Sequence, residues 1–213
     1  MPAMRIPVFP LPNTVFFPDT VLPLHVFESR YRALVEDALA GDRRFAVALA
    51  RDDDARFHPT ATVGRIENLQ RLADGRFLLE LHAEGRVQLR AAEETGPYFS
   101  ATSTPKVERP EADPDAWTAD TKRLLASHAL LFREVAEEAG VEPLALPTHL
   151  TGREALHAVA STLPIPPAAR QALLELDDLD ERLARTSDAL DETLRQVARF
   201  KAWSSLEPEG PPN

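Results

Sequence analysis

The chain has no cysteine among its 213 residues, which removes disulfides, thiolate nucleophiles and cysteine-ligated zinc. It has no window approaching the ~20 apolar residues of a membrane-spanning helix. Its start, MPAMRIPVFPLPN, is broken by prolines where a signal peptide needs a continuous apolar stretch. A cytoplasmic protein with no membrane contact is expected. The phosphate-cradling pattern G-x-x-x-x-G-K-[ST] is missing, which excludes the usual ATPase, and so is the G-x-S-x-G nucleophile elbow. The six histidines, at 25, 58, 82, 128, 149 and 157, include no H-x-x-x-H pair that would place two imidazoles on one helical face. No catalytic residue, metal or cofactor is expected. Positive charge is also short: 24 Lys and Arg stand against 34 Asp and Glu, a net charge of −10 that disfavours nucleic acid. A local patch from Arg43, Arg44, Arg65, Arg71, Arg76, Arg86 and Arg90 is the one arrangement that would favour RNA.

What remains is an ordinary globular composition, 44% hydrophobic and 27% charged. Residues 1–110 carry strand signals: RRFAVALA (43–50), TATVGRIENLQRL (60–72), GRFLLELHAEGRVQLRAAEE (75–94) and YFSATSTPKVE (98–108) are rich in apolar and β-branched residues. Asp74-Gly75 marks a hairpin and Gly85 a bend or bulge. An antiparallel sheet curling towards a barrel is expected, interrupted by one helix over about 29–40. Tyr31, Leu34, Val35, Ala38 and Leu39 form the apolar face of that helix, and Gly41 is placed for a left-handed cap.

From 111 to 204 the pattern is helical. Asp113-Pro114 reads as a cap followed by proline in the first turn, opening a helix of about seven turns along Trp117, Leu124, Leu131 and Val135 to Gly140. Thr151 and Glu154 have capping-box spacing before a shorter helix that Pro164 ends. A long last helix is expected from Pro167 to Trp203, with an a/d seam of Leu176, Leu179, Leu183, Thr186, Leu190, Thr193, Val197 and Phe200. The seam fits either packing within a bundle or self-association as a homo-oligomer. The acidic run Asp177, Asp178, Asp180 and Glu181 reads as a solvated face, Asp52 to Asp54 as a polar loop, and 205–213 as a flexible tail.

The densest signal is RIPVFPLPNTVFFPDTVLPLHVFESRYRALV (5–35), with five prolines and four phenylalanines. Pro7, Pro10, Pro12, Pro18 and Pro23 belong at edges, bends or strand ends because they cannot donate to a central ladder. Phe9, Phe16, Phe17 and Phe27 supply apolar area. Such a ribbon either closes the sheet or leaves an edge to which a peptide strand could add. His25, between Leu24 and Val26, reads as a core or edge residue rather than a ligand.

The same run resembles the opening of the Lon protease N-terminal substrate-binding domain family, through Phe16, Pro18, Leu22, Pro23, Leu24, Phe27, Glu28, Arg30 and Tyr31. A second match, LPIPPAARQALLELDDLDERL (163–183), adds Gln171, Leu173, Leu174, Glu175 and Arg182. Two positions depart from the family pattern: Asp19 stands for the glycine of a turn, and Ser29 for a proline before Arg30-Tyr31. The resemblance implies an α+β protein with a PUA-like antiparallel β-barrel followed by a helical bundle. It implies recognition of unfolded or damaged polypeptide on behalf of an ATP-driven protease, here as a stand-alone member without the motor or the protease. Most motif residues are expected to be architectural, with Arg30 tying the helix to the barrel and Glu28 pairing with Arg32. The binding surface is expected around Phe9, Phe16, Phe17, Leu22 and Leu24. The competing expectation is a structural or regulatory protein that self-associates, or docks a specific folded partner, through its C-terminal helix.

Overall fold

The protein is described by a computed structural model covering residues 4–51 and 56–204; the acidic run 52–54 and the tail 205–213 lie outside the described residues. Six strands come first: β1 (Met4–Leu11), β2 (Val21–Val26), β3 (Arg44–Leu49), β4 (Thr60–Arg71), β5 (Phe77–Thr95) and β6 (Tyr98–Pro105), with α1 (Ser29–Ala40) between β2 and β3. Four helices follow: α2 (Pro114–Ala139), α3 (Gly152–Thr162), α4 (Pro167–Glu175) and α5 (Leu179–Ser204).

The strands form one sheet in the order β2-β5-β4-β3-β1-β6, and β6 pairs again with β5. The pairings β1-β3-β4-β5-β6 therefore close into a circuit. β2 branches off the first part of β5, opposite Phe77–His82, while β6 takes the later part, Val87–Thr95. The sheet is mixed rather than antiparallel throughout, because β1 and β3 run parallel. Parallel neighbours need a long crossover, and here it contains β2 and α1. The length of β5 is accommodated by bulges. Val63 faces Gly85 and Gly64 faces Ala83, so Glu84 is skipped beside the expected bend at Gly85.

The prolines fall where β1 has one neighbour. Pro7 lies opposite Ser100 of β6, before the β3 pairing begins at Val8, and Pro10 lies opposite Ala48 of β3, after the β6 pairing has ended. A missing N–H therefore breaks no central ladder. Gly64 marks a close approach, since a Cβ there would stand 2.4 Å from Leu81 Cγ and 3.0 Å from the Phe16 ring.

Tyr31, Leu34, Val35 and Ala38 of α1 are buried against Phe45, Ile66, Phe77 and Leu81 of the sheet. Gly41 ends this helix at φ −106°, outside the left-handed region, so the expected cap is not formed. A second apolar cluster includes Ile6, Val8, Ala46, Val63, Val87 and Leu89. The third holds the helical half together around Leu124, Leu131, Leu156, Val159, Leu174 and Leu183.

α2 begins and ends as its sequence predicts. Asp113 accepts from the backbone N–H groups of Asp115 and Ala116, and Gly140 is left-handed at φ 65°. Thr151 precedes α3 in an extended conformation with no side-chain cap bond, so the capping box is not made. The single long helix expected from 167 to 203 is in fact two. Residues 176–178 leave the helix to pair with Arg109, whose N–H donates to Asp177 O at 2.7 Å and whose carbonyl accepts from Leu179 N at 3.3 Å. The seam on α5 packs within the chain at Leu179, Leu183, Thr186 and Leu190, and surfaces towards Phe200.

The halves meet at the proline-phenylalanine ribbon. Phe16 belongs to the core under α1, whereas Val15 and Phe17 belong to the helical core. The backbone between them is fixed by Thr62 Oγ1, which donates to Phe16 O at 2.5 Å, and by Thr20 Oγ1, which donates to Phe17 O at 2.6 Å. Two adjacent rings thus anchor one segment in two cores.

Candidate functional site

Phe9, Phe16 and Phe17 are all buried, which corrects their assignment to a binding surface: their rings are the apolar mass that closes the cores. Leu22 and Leu24 are half-buried on the inner side of β2, packed on the core under α1. The residues on the outer side of this region are others. Phe27 is 61% exposed, Val21 49% and Leu78 40%, with the exposed His25 ring 5.8 Å from Phe27. Phe27, expected to be architectural, is the most open of the motif's apolar residues.

β2 is also a free edge: its sole strand neighbour among the described residues is β5. The donation from Ala83 N to Thr20 O, at 3.0 Å, sets the phase of the ladder. With Val21 opposite His82, the pairs Leu22/Leu81, Leu24/Leu79 and Val26/Phe77 point their backbone groups at each other. Val21, Pro23 and His25 then turn theirs to the open side. The edge offers two N–H donors, from Val21 and His25, and three carbonyls, with Pro23 lacking a donor. A groove of about 400 Å³ lies beside it, lined by Pro23, Leu24, His25, Leu78 and Glu80. Glu80 accepts from Asn68 Nδ2 at 2.6 Å, and this bond holds its carboxyl below the usual range. His82 Nε2 lies 3.6 Å from Glu80 and 3.7 Å from Glu67.

The motif residues around this edge support it. Pro18 sits in the turn before β2. Glu28 precedes α1 and its carbonyl accepts from the N–H groups of Tyr31 and Arg32. Tyr31 packs edge-on against Phe9 with centroids 4.1 Å apart. Arg30 pairs locally with Glu28 at 2.8 Å and lies over the Tyr31 ring, so it does not tie the helix to the sheet. Arg32 does so instead, donating to Asp74 O at 3.3 Å, and the expected Glu28–Arg32 pair is absent from the ion pairs of the described residues.

The downstream motif residues are interior. Gln171 donates to Thr60 O at 3.0 Å, joining α4 to β4. Arg182, fully buried, donates to Leu173 O at 3.1 Å, to Leu176 O, and to Glu108 at 2.6 Å. It therefore takes up carbonyls that the end of α4 leaves unpaired. Arg86, also buried, donates to Glu108 at 3.0 Å and to Leu174 O at 2.8 Å. Burial raises the Glu108 carboxyl, but the charge and hydrogen bond of Arg182 outweigh it and hold the group below its usual range.

These contacts also revise two sequence readings. The acidic run at 177–181 is solvated at Asp177 and Glu181, as expected, but it also joins segments: Asp177 meets Arg86 and Lys106, and Asp180 accepts from Ala112 N, while Asp178 accepts from Glu181 N at the start of α5. The arginine patch is largely neutralised, since Arg44 and Arg65 share Glu84, Arg71 meets Glu36 and Arg76 meets Asp74. Among the described residues no group of three His, Asp or Glu side chains converges as metal ligands would, and no helix is long and apolar enough to cross a membrane. Phe27 and Leu78 were missed as surface residues because apolar side chains in strands read as core. Their signal was positional: Val21, His25 and Phe27 alternate with the inward Leu22, Leu24 and Val26.

This architecture is that of Lon N-terminal domains. The N terminal domain of Mycobacterium avium complex Lon protease superposes with a TM-score of 0.66 and 26% identity, covering 88% of this chain and 98% of that one. The Lon N-terminal domain protein from Xanthomonas campestris shares the fold at a TM-score of 0.58 and 24% identity, over 85% of this chain and 96% of that one. Residues 5–192 match the ATP-dependent protease La (LON) substrate-binding domain, and the chain belongs to that family. Lon protease 2 of Herpetosiphon aurantiacus is 32% identical over 204 residues, covering 90% of this chain and 24% of that protein. Lon protease of Chloroherpeton thalassium is 29% identical over 188 residues, covering 84% and 22%. The chain therefore spans about a quarter of the length of these curated relatives.

Proposed function

We propose that the chain is a non-enzymatic polypeptide-recognition module that takes extended, unfolded segments along the open edge of β2. The observation that carries this reading is the coincidence of unpaired backbone groups at Val21, Pro23 and His25 with exposed Val21, Phe27 and Leu78. An added strand would gain main-chain hydrogen bonds from the edge and apolar contact from the flanking side chains. Most folded proteins keep their strand edges short or covered, so an extended unfolded chain is the favoured occupant. Family membership supports the role of substrate recognition. The closed circuit of pairings fits a PUA-like barrel, with 1–110 and 111–204 as its two subdomains.

The test is a fluorescence anisotropy titration of the chain against a labelled permanently unfolded protein and against its folded counterpart. Selective binding of the unfolded form is expected, and the double variant Phe27→Ser, Leu78→Ser should weaken it at least about tenfold while leaving circular dichroism unchanged. Undiminished binding by that variant would place the client elsewhere.

A second reading, self-association through the end of α5, has its own observation: Trp203 is 61% exposed beyond the half-buried Leu194 and Val197. A sedimentation coefficient that stays monomeric as concentration rises would remove it.

A further inference from the structure

Val21, Pro23 and His25, whose backbone groups face the open side of β2, also carry its exposed side chains. Each ends a row that crosses the outer face of the sheet. Val21 lies opposite His82 and His82 opposite Arg65; Pro23 lies opposite Glu80 and Glu80 opposite Glu67; His25 lies opposite Leu78 and Leu78 opposite Gln70. A client strand added to β2 extends each row by one side chain, taken from every second client residue.

The middle row differs from its neighbours in charge. Glu67 and Glu80 are directly opposed carboxylates, an arrangement that costs stability in a sheet. Neither meets a lysine or arginine among the described residues, and the contacts of His82 Nε2, at 3.7 and 3.6 Å, are too long for hydrogen bonds. Between Glu67 and Gln70 the β4 strand bulges by one residue, with Asn68 left-handed at φ 47°. The bulge aims Asn68 Nδ2 at Glu80 Oε2, 2.6 Å away, and so fixes that carboxylate in the wall of the groove beside β2.

On the open side of Glu80 the row holds only the short apolar ring of Pro23. Strands lie about 4.8 Å apart, so a client residue opposite Pro23 stands about 10 Å from Glu80. An arginine or lysine spans that distance with its stem laid on the proline ring and its charge at the carboxylate, whereas a glutamate there adds a third like charge to the row. The rows on either side make a different demand. Val21 is exposed in one, and Leu78 and Phe27 are exposed around His25 in the other, so client residues beside them meet apolar surface.

We propose that the β2 edge, acting as the client site inferred above, selects unfolded segments in which one basic residue is bracketed by apolar residues two positions away on each side, with Glu80 reading the charge. The pattern is symmetric, so it holds for a strand added in either direction.

The test uses the full chain and three labelled threonine-rich peptides of about nine residues, the length of a long strand. Each has phenylalanine two residues before and two residues after a central position, which is arginine, leucine or glutamate. Anisotropy titrations should rank arginine over leucine over glutamate, with arginine about tenfold tighter than glutamate at roughly 50 mM salt and about threefold tighter at roughly 500 mM. Glu80→Gln, which keeps an acceptor for Asn68, should cut the arginine-to-glutamate ratio at least about threefold, and Glu80→Lys should reverse the preference. The ratio of two peptides on one variant is unmoved by partial loss of folded protein, so a merely structural role for Glu80 would leave it unchanged. An arginine preference that persists in both Glu80 variants would overturn the proposal. Equal binding of all three peptides, lost in Phe27→Ser, Leu78→Ser, would overturn it while leaving strand addition at β2 standing. No binding by any peptide, or binding indifferent to that double variant, would overturn both.

Discussion

Nδ1 of His157 donates to Oδ2 of Asp19 at 3.0 Å, joining α3 to the turn before β2 across the junction of the two halves. The tautomer follows from the other ring nitrogen. Arg182 Nη1 lies 2.7 Å from Nε2, and a guanidinium can only donate, so Nε2 carries the lone pair and Nδ1 the proton. Arg153 adds a second contact to the same carboxylate at 3.2 Å. The hydrogen bond from His157, with lesser help from Arg153, holds Asp19 below the usual carboxylate range. Asp19 also sits at φ 58°, where glycine is the undemanding residue. The residue that departs from the family's turn glycine therefore gains an anchor on α3.

Substitutions at Asp19 should order by which of these two demands they meet. Asp19→Asn keeps an acceptor for His157 and tolerates the turn, Asp19→Gly keeps the turn alone, and Asp19→Ala keeps neither. Losses of about 0.5–1, about 1–2 and about 2–4 kcal/mol are expected from urea midpoints. A cost for Gly equal to that for Asn would mean that the His157 bond is worthless.

Stability should fall as pH falls below 6.5. Burial pushes the His128 imidazole down to about 4, and burial pushes His157 down as well, against the opposing pull of Asp19. Between those folded values and 6.5 the unfolded chain binds the extra protons, so stability is complete above 6.5 and is lost on acidification. His128 alone accounts for up to about 3 kcal/mol across this window. In His128→Phe the slope of unfolding free energy against pH should drop by about 1.4 kcal/mol per unit near pH 5.5. A slope unchanged by that substitution would contradict the buried neutral state of His128.

Arg182→Leu should cost about 3–5 kcal/mol, because it strands the carbonyls of Leu173 and Leu176 in the interior and leaves Glu108 with Arg86 as its one buried guanidinium. Arg182→Lys should recover little, since one ammonium cannot span acceptors so widely separated. Thermal denaturation of the two variants distinguishes this bridging role from a simple need for positive charge.

Gly64→Ala should destabilise by about 1–3 kcal/mol through the collision of its Cβ with Leu81 and Phe16, seen as a lowered urea midpoint. In Gly64→Ala, Leu81→Ala the loss should be smaller than the sum of the single losses, because the second change clears the space.

Much of this structure was legible in the sequence where local chemistry decides it. The Asp113-Pro114 start of α2, the Asp74-Gly75 turn, the bulge at Gly85 and the α1 face each depend on residues a few positions apart. The errors arise where a distant partner decides. Nothing local to 176–178 breaks a helix, and the break exists because Arg109 pairs with that segment and Arg182 bonds the carbonyls beside it. The parallel pairing of β1 with β3 has no sequence mark of its own. Arg86, Glu108, Asp19 and His157 come from four separate segments and carry no shared spacing, so their meeting was invisible. For the expected binding residues the face was wrong, since Phe9, Phe16 and Phe17 are interior. Phe16 and Phe17 looked available because they are large and apolar, yet two adjacent rings serving two cores leave neither free.

Strand addition at β2 is tested most directly by amide hydrogen exchange at single-residue resolution, with and without a bound unfolded protein. The ladder leaves only the N–H groups of Val21 and His25 on the open side between Val21 and Val26. Their exchange should slow on binding, while Leu22 and Leu24, already bonded to β5, should change little. Client binding that leaves Val21 and His25 exchanging at their free rates would contradict strand addition at this edge.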